Sequence, residues 1–138
     1  MENVFEDSQG VYNKNRDFTS LFCWQDARKV KLFFYNKILP LLPNEEKFNL
    51  DIQLRKTLCS STANIAKGYG RYHYQEGLQF YRISKGSTYE SKDHLISCFD
   101  LGYINNDFYN EGLELIEKAK ISLNGYIKFV KTQKKGLK

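Results

Sequence analysis

The sequence predicts an all-α protein, an antiparallel up-down-up-down four-helix bundle, and three observations support this fold. Apolar residues recur at three- and four-residue spacing along most of the chain. Pro40 and Pro43 are the only prolines, so helix breakers are rare. Short alternating strand patterns bounded by turn residues are also rare. The amphipathic stretches would form rods of about 30 to 40 Å that can pack side by side.

Length and composition indicate one cytoplasmic domain without structural crosslinks. A chain of 138 residues can bury a core unaided. No apolar run reaches the ~20 residues of a membrane span, and the acidic opening lacks the order of a signal peptide. Cys23, Cys59 and Cys98 are far apart and lie within helical patterns. We expect them to be buried apolar residues rather than disulfide partners or zinc ligands.

The first predicted helix covers residues 18–39 and follows a polar segment, 1–17, that we expect to be a flexible arm. One apolar line consists of Cys23, Ala27, Val30, Phe34 and Ile38. A second line consists of Leu21, Trp24, Leu32, Tyr35 and Leu39. Two apolar lines need either a central position or a second subunit to cover them. Pro40 and Pro43 are expected to end the helix.

The second predicted helix, residues 50–67, combines an apolar stripe with an unusually small surface. The stripe is Leu54, Leu58 and Ile65. The neighbouring small residues are Cys59, Ser60, Ser61, Thr62 and Ala63. This pattern predicts the close approach of another helix. We expect the glycines at 68 and 70 to stop the helix, because glycine enters the left-handed conformation without steric cost.

The third helix is predicted over residues 75–101, closed by Gly102, and the fourth reaches about residue 134. The third-helix seam is predicted to be Phe80, Ile83, Ser87, His94, Cys98 and Leu101. Asn105, Asn106 and Asp107 offer a cap and a first-turn acid for the fourth helix. Its seam is predicted to be Phe108, Leu115, Ala119, Leu123, Tyr126 and Val130. Residues 135–138 form a basic tail.

Several short motifs follow one another between residues 18 and 134. They are Leu21, Trp24 to Ala27, Pro43 with Glu46, Gln53 to Lys56, Ser61, Asn64 to Ala66 with Gly68, Phe80, and Gly86-Ser87 with Glu90. On these motifs the chain resembles the bacterial four-helix-bundle proteins encoded within intervening sequences of large-subunit ribosomal RNA genes. Those proteins are relatives of the accessory variability proteins of diversity-generating retroelements.

The resemblance implies a homopentameric four-helix bundle with no established enzymatic activity. It also implies that the partner is nucleic acid or an RNA-associated protein. Lys67 stands where the family usually has Glu, so the role of that acid does not carry over.

Four polar residues are marked by the resemblance: Gln53, Arg55, Asn64 and Glu90. Such residues on a largely apolar helix either form a ligand site or complete a buried hydrogen-bond network that sets helix register. The structural network is the favoured interpretation. It predicts that Glu90 accepts a hydrogen bond from Arg55 or Asn64 of the neighbouring helix.

The charge distribution suggests an anionic partner. The net charge is +5, and residues 117–138 hold seven lysines against Glu117 alone. The candidate nucleic-acid-binding residues are Arg71, Tyr72, Arg82, Lys85, Lys128, Lys131 and Lys135. Rings can stack on unpaired bases while cations neutralise phosphate. The alternative is that the tyrosines of residues 69–74 cap the bundle and the lysines complement a helix dipole.

The sequence therefore predicts a non-enzymatic, oligomeric protein that binds RNA or DNA, with a nucleic-acid-processing protein as a further partner. The rival is a protein-interaction scaffold that touches no nucleic acid. No cofactor or metal is expected, because His73 and His94 lack the paired Glu-x-x-His elements of di-iron bundles. No phosphate-loop signature occurs either.

Overall fold

A computed structural model describes residues 17–71 and 74–136, with the backbone alone for residues 134–136. Its long helices are α1 (Phe22–Phe33), α2 (Leu50–Tyr69), α3 (Tyr74–Asp100) and α4 (Asn106–Gly136). A π-helical turn, Phe34–Ile38, extends α1, and 3-10 turns occupy Phe18–Ser20, Leu39–Leu41 and Asn44–Glu46. No strand occurs within these residues, and the all-α prediction is confirmed. None of the described helices is both long and apolar enough to cross a membrane.

The core consists of two clusters, and all four helices contribute to each. The Phe34 cluster comprises Val30, Phe33, Phe34, Ile38, Leu39, Leu54, Leu58, Leu95, Cys98, Ile104, Ile116 and Ala119. The Tyr81 cluster comprises Leu21, Cys23, Ala27, Ile65, Leu78, Tyr81, Leu123, Tyr126, Ile127 and Val130. The first apolar line of α1 and the α2 stripe are entirely buried, as predicted.

The second apolar line of the first helix is only partly covered. Leu21 and Leu39 are buried, whereas Leu32 is 40% exposed. Trp24 is half-buried, because Phe18 in the preceding 3-10 turn packs against it with ring centroids 5.2 Å apart. Within the described chain, the 3-10 turn that precedes α1 therefore covers part of the face for which the sequence predicted a central position or a second subunit.

The buried face of α3 differs from the prediction. Ile83 and Leu101 are exposed, whereas the predicted seam residues Ser87 and Cys98 are buried. The buried positions are Gly77, Leu78, Tyr81, Ser84, Ser87, Thr88, Ser91, Leu95 and Cys98. Four of these positions are serine or threonine, whose hydroxyl groups conceal the apolar period in the sequence. Thr88 Oγ1 donates to the Ser84 carbonyl at 3.0 Å, and Ser91 Oγ donates to the Thr88 carbonyl at 2.7 Å. Hydroxyls that are bonded to the backbone of their own helix can be buried at little cost.

Helices α2 and α3 approach closely, as the small residues of α2 predicted. Ser84 Oγ donates to the Ser61 carbonyl at 2.7 Å, and Ser87 Oγ donates to Ser60 Oγ at 2.8 Å. A Cβ atom added at Gly68 would lie 2.4 Å from Cε1 of Tyr81. Gly68 is therefore a packing position inside α2, where a side chain would separate the helices.

Helix α2 ends at Tyr69 with Gly70 as its C-cap, as predicted, but the left-handed conformation expected there is wrong, whereas the glycine stop predicted for α3 is confirmed. Gly70 has φ −75° and stays right-handed. Gly102 has φ +79°, and its N–H donates to the Phe99 carbonyl at 3.0 Å. The Tyr103 N–H donates to the Cys98 carbonyl at 2.9 Å, which completes a Schellman cap.

Two side chains organise the connections between helices. Asn105 Oδ1 accepts from the Phe108 N–H at 2.8 Å, which confirms the predicted cap of α4. Glu46 accepts from the Leu50 N–H at 3.3 Å with one oxygen and from the Tyr103 hydroxyl at 2.6 Å with the other. Glu46 thus ties the α1–α2 connection to the α3–α4 connection.

Candidate nucleic-acid interface

Three cations and one aromatic ring form a stripe along α3. Arg82, Lys85, Tyr89 and Lys92 are spaced by three, four and three residues, so they lie on one side of the helix. Arg82 and Tyr89 are exposed, and the two lysines are half-buried. Each of these four residues directly follows a buried residue of α3, so the stripe lies at the edge of the core.

Helix α4 adds one cation beside this stripe and further cations beyond its Arg82 end. Lys120 Nζ lies 5.2 Å from the centroid of the Tyr89 ring. Lys120 also pairs with Glu117 at 2.9 Å, and this hydrogen bond raises the lysine pKa. Lys131 follows Lys120 by eleven residues, about three turns, and so faces nearly the same way. Lys131 and the neighbouring Lys128 are both exposed.

We call this surface the basic flank. Its members are Arg82, Lys85, Tyr89, Lys92, Lys120, Lys128 and Lys131. Glu117 lies at its edge and is paired with Lys120. Cations held on two rigid helices create a local positive potential that attracts polyanions.

Four of the predicted binding residues lie on the basic flank, and Arg71 lies elsewhere, just after α2. Arg82, Lys85, Lys128 and Lys131 belong to the flank. Arg71 is exposed at the end of α2, where its guanidinium carbon lies 4.8 Å from the Phe80 ring centroid. Tyr72 and the side chain of Lys135 lie outside the described residues.

The predicted hydrogen bond from Arg55 or Asn64 to Glu90 is wrong. Arg55 pairs with Asp51 of its own helix. Glu90 is exposed and pairs with His94, with 3.1 Å between Oε2 and Nε2. Both pairs join residues four apart, a spacing that satisfies charged side chains within one helix. Arg55 also lies over the Tyr35 ring, 5.1 Å from its centroid, and this contact too does not involve Glu90.

The hydrogen bonds at Asn64 and Gln53 likewise do not involve Glu90. Asn64 is buried, and its Nδ2 donates to the Ser60 carbonyl at 2.8 Å and to Ser60 Oγ at 3.0 Å. Ser60 Oγ also accepts from Ser87, so a small network does cross from α2 to α3. Gln53 is exposed, and its backbone carbonyl accepts a hydrogen bond from Thr57 Oγ1 at 2.8 Å.

Sequence reasoning missed Tyr89, Lys92 and Lys120. The spacing of Tyr89 and Lys92 from Arg82 was a usable signal, but assigning the α3 seam to Ile83 hid it. The position of Lys120 over Tyr89 had no sequence signal, because it depends on how α3 and α4 are aligned.

The cysteines and acids offer little for catalysis in the described part of the chain. Cys23 and Cys98 are buried as expected, and burial raises the pKa of Cys98 to about 11. Cys59 is exposed, contrary to expectation, with its sulfur 3.9 Å from the Tyr35 hydroxyl. No group of three or more His, Cys, Asp or Glu that could hold a metal occurs among residues 17–71 and 74–136.

The family described as 23S rRNA-intervening sequence protein matches residues 19–125. No curated protein matches the chain significantly.

Proposed function

The chain belongs to the 23S rRNA-intervening sequence protein family, and from that premise we propose a non-enzymatic, oligomeric four-helix bundle that binds nucleic acid through its basic flank. The observation that carries the proposal is the alignment of cations from α3 and α4 on one surface, with Lys120 over Tyr89. The family description connects these proteins with ribosomal RNA genes and states no binding activity.

The cross-helix contacts support the antiparallel order of the bundle. On α3 and α4, the paired residues run in opposite directions along the chain: Tyr81 with Tyr126, then Tyr89 with Lys120. On α2 and α3 they are Ser60 with Ser87, then Gly68 with Tyr81. Between α2 and α1 with its π-helical extension they are Lys31 with Thr62, then Tyr35 with Cys59. Each consecutive pair of helices is thus consistent with an up-down arrangement.

The chemistry of the basic flank suits a phosphate backbone. Lysine and arginine that neutralise phosphates release condensed counterions, which gives affinity without reading a base sequence. Such binding weakens steeply with salt. The partly buried stems of Lys85, Lys92 and Lys120 limit the freedom of their ammonium groups, so less entropy is lost when a phosphate binds.

A titration of the full chain with a fluorescently labelled RNA oligonucleotide tests this function. We expect binding at about 50 mM salt and a loss of affinity of tenfold or more at about 200 mM. Lys128→Glu with Lys131→Glu should weaken binding by about tenfold or more, because two attractive charges become repulsive. The matched control, Lys47→Glu with Lys56→Glu, reverses two exposed lysines outside the flank and should have a much smaller effect.

Absence of binding at low salt would refute the proposed function. Binding that is insensitive to salt would refute its electrostatic mechanism. An equal loss in both double variants would show that overall charge, and not the basic flank, determines affinity.

A protein-interaction scaffold is the second candidate function. It is favoured by large apolar side chains that the described chain leaves exposed: Leu32, Leu41, Phe48, Ile83, Leu101 and Ile121. If this function is the correct one, affinity purification should recover a specific protein that stays bound after nuclease treatment. The purified protein should then bind no RNA at low salt.

A further inference from the structure

The basic flank contains one exposed aromatic ring, Tyr89, among its cations. Tyr89 is 47% exposed, and Lys85, Lys92 and Lys120 lie beside it, together with the acids Glu90, Asp93 and Glu117. We propose, resting on the proposed function, that the basic flank selects single-stranded nucleic acid. The Tyr89 ring stacks on an unpaired base, while the neighbouring cations contact the phosphates on either side.

The spacing along α3 fits a short strand. Lys85 precedes Tyr89 by four residues and Lys92 follows it by three, which is about 6 Å and 4.5 Å along the axis. From Arg82 to Lys92 the stripe is about 15 Å long. At about 3.4 Å for each nucleotide of a stacked strand, it accommodates about four nucleotides. A base on Tyr89 therefore has cations within reach of the phosphates before and after it.

Lys120 contributes to the same contact from α4. Its ammonium lies over the Tyr89 ring at 5.2 Å, and its pairing with Glu117 holds it in place. Because the ring keeps nearly half of its exposure beside this lysine, part of its surface stays open to a ligand. A phosphate adjoining the stacked base can then displace Glu117 from Lys120.

A duplex cannot use this arrangement. Inside a helix both faces of every base are covered by its neighbours, so an aromatic side chain finds no face to stack on. In a single strand every base has an accessible π-face, which also makes stacking tolerant of sequence. The partner is therefore unpaired RNA or DNA, recognised by base planes and phosphates and not by a particular sequence.

Phe48 provides a matched comparison within the chain. It is 76% exposed, and Lys47 Nζ lies 5.6 Å from its ring centroid. Its other neighbours along the chain include Glu45 and Glu46, and no stripe of cations extends from it. An exposed ring beside one lysine thus occurs twice in the described chain, but only Tyr89 lies within a basic surface.

The test compares single-stranded oligouridylate, oligothymidylate and a duplex RNA of equal length by fluorescence anisotropy at low salt. We expect Tyr89→Ala to weaken binding of both single strands by about five- to a hundredfold, since it removes one stacking contact. Duplex affinity and the salt dependence of binding should not change, because no charge is lost. Tyr89→Phe should retain single-strand affinity, and Phe48→Ala should behave as wild type.

The outcomes separate this inference from the proposed function. If the wild type binds with salt dependence but Tyr89→Ala has no effect, or weakens duplex binding equally, the inference is overturned and the proposed function stands. A Tyr89→Phe variant as weak as Tyr89→Ala would also overturn it, because the ring would then not be the contact. If the wild type binds none of the three probes, both are overturned. Circular dichroism and thermal melting should show that each variant folds.

Discussion

At the residue scale, glycines on two helices illustrate how packing determines the effect of a single methyl group. Gly68 lies inside α2 against the buried ring of Tyr81, and a Cβ atom there would also face α3, where Gly77 approaches the Gly68 carbonyl. Gly86 lies inside α3, and a Cβ atom there would meet nothing within 4 Å. Both positions are helical, so the intrinsic preference for alanine is the same at each.

We therefore predict opposite effects of the same substitution. Gly86→Ala should raise the free energy of unfolding by about 0.5 to 1 kcal/mol, because alanine restricts the unfolded chain and favours helix. Gly68→Ala should lower it by about 1 to 3 kcal/mol, since the new methyl group displaces Tyr81 within a packed core. Urea unfolding followed by circular dichroism measures both. A stabilised Gly68→Ala variant would show that α2 and α3 are further apart than the structure has them.

At the element scale, the two connections that precede α2 and α4 are joined by one hydrogen bond. The Tyr103 hydroxyl donates to Glu46 Oε2, and Glu46 Oε1 in turn accepts from the first turn of α2. A carboxylate near the positive end of a helix dipole is stabilising. The hydrogen bond to this carboxylate raises the pKa of Tyr103 from 10.0 to about 12, because ionising the phenol would place two negative charges together.

This shift predicts a loss of stability in alkaline solution. The folded state holds the Tyr103 proton more tightly than the unfolded state does, so the contribution is complete below pH 10 and disappears as the pH rises towards about 12. Tyr103→Phe should be less stable than wild type at neutral pH, and the difference should shrink across that window. Urea midpoints of the two proteins at several pH values test this. A constant difference would mean that Tyr103 does not titrate against Glu46.

At the scale of the whole molecule, charge is unevenly distributed between the regions around the two core clusters. Exposed cations near the Tyr81 cluster include Lys67, Arg71, Arg82, Lys128 and Lys131. Exposed acids near the Phe34 cluster include Glu45, Asp100, Asp107 and Glu114, and they are interspersed with the exposed cations Lys37, Lys47, Arg55 and Lys56. Several copies arranged in parallel around an axis would combine their basic regions, and multivalent contact would then strengthen weak binding by each subunit.

We predict that the protein assembles, with a mass near five chains by multi-angle light scattering. The exposed apolar side chains provide the driving force, because burying them on a partner removes apolar area from water. Ile83, 51% exposed beside the close α2–α3 contact, is the most informative site to alter. Ile83→Lys should shift the mass downward, whereas Lys47→Glu should not. A wild-type monomer at micromolar concentration would contradict assembly.

Local patterns in the sequence were sufficient to predict the helices and most of their buried faces. Apolar residues at three- and four-residue spacing, as around Phe34, Leu58 and Leu123, form one apolar face on a helix. That face is buried whichever apolar neighbour packs on it, so it can be predicted without the tertiary structure. The caps at Gly102 and Asn105 are equally local. The predicted interaction of Glu90 with Arg55 or Asn64 is wrong because Glu90 pairs with His94 of its own helix. A charged side chain that finds a partner one turn away needs none on the neighbouring helix.

The sequence by itself determined an all-helical chain of this family, with the buried lines of α1 and α2 and an excess of basic residues towards its carboxyl end. Only the tertiary structure decided which face of α3 is buried, because hydroxyl groups at its core positions carry no apolar signal until their hydrogen bonds are known. It also decided that Lys120 lies over Tyr89. That contact depends on the alignment of two helices, which is set by packing around Tyr81 and Tyr126 and is encoded in no single segment.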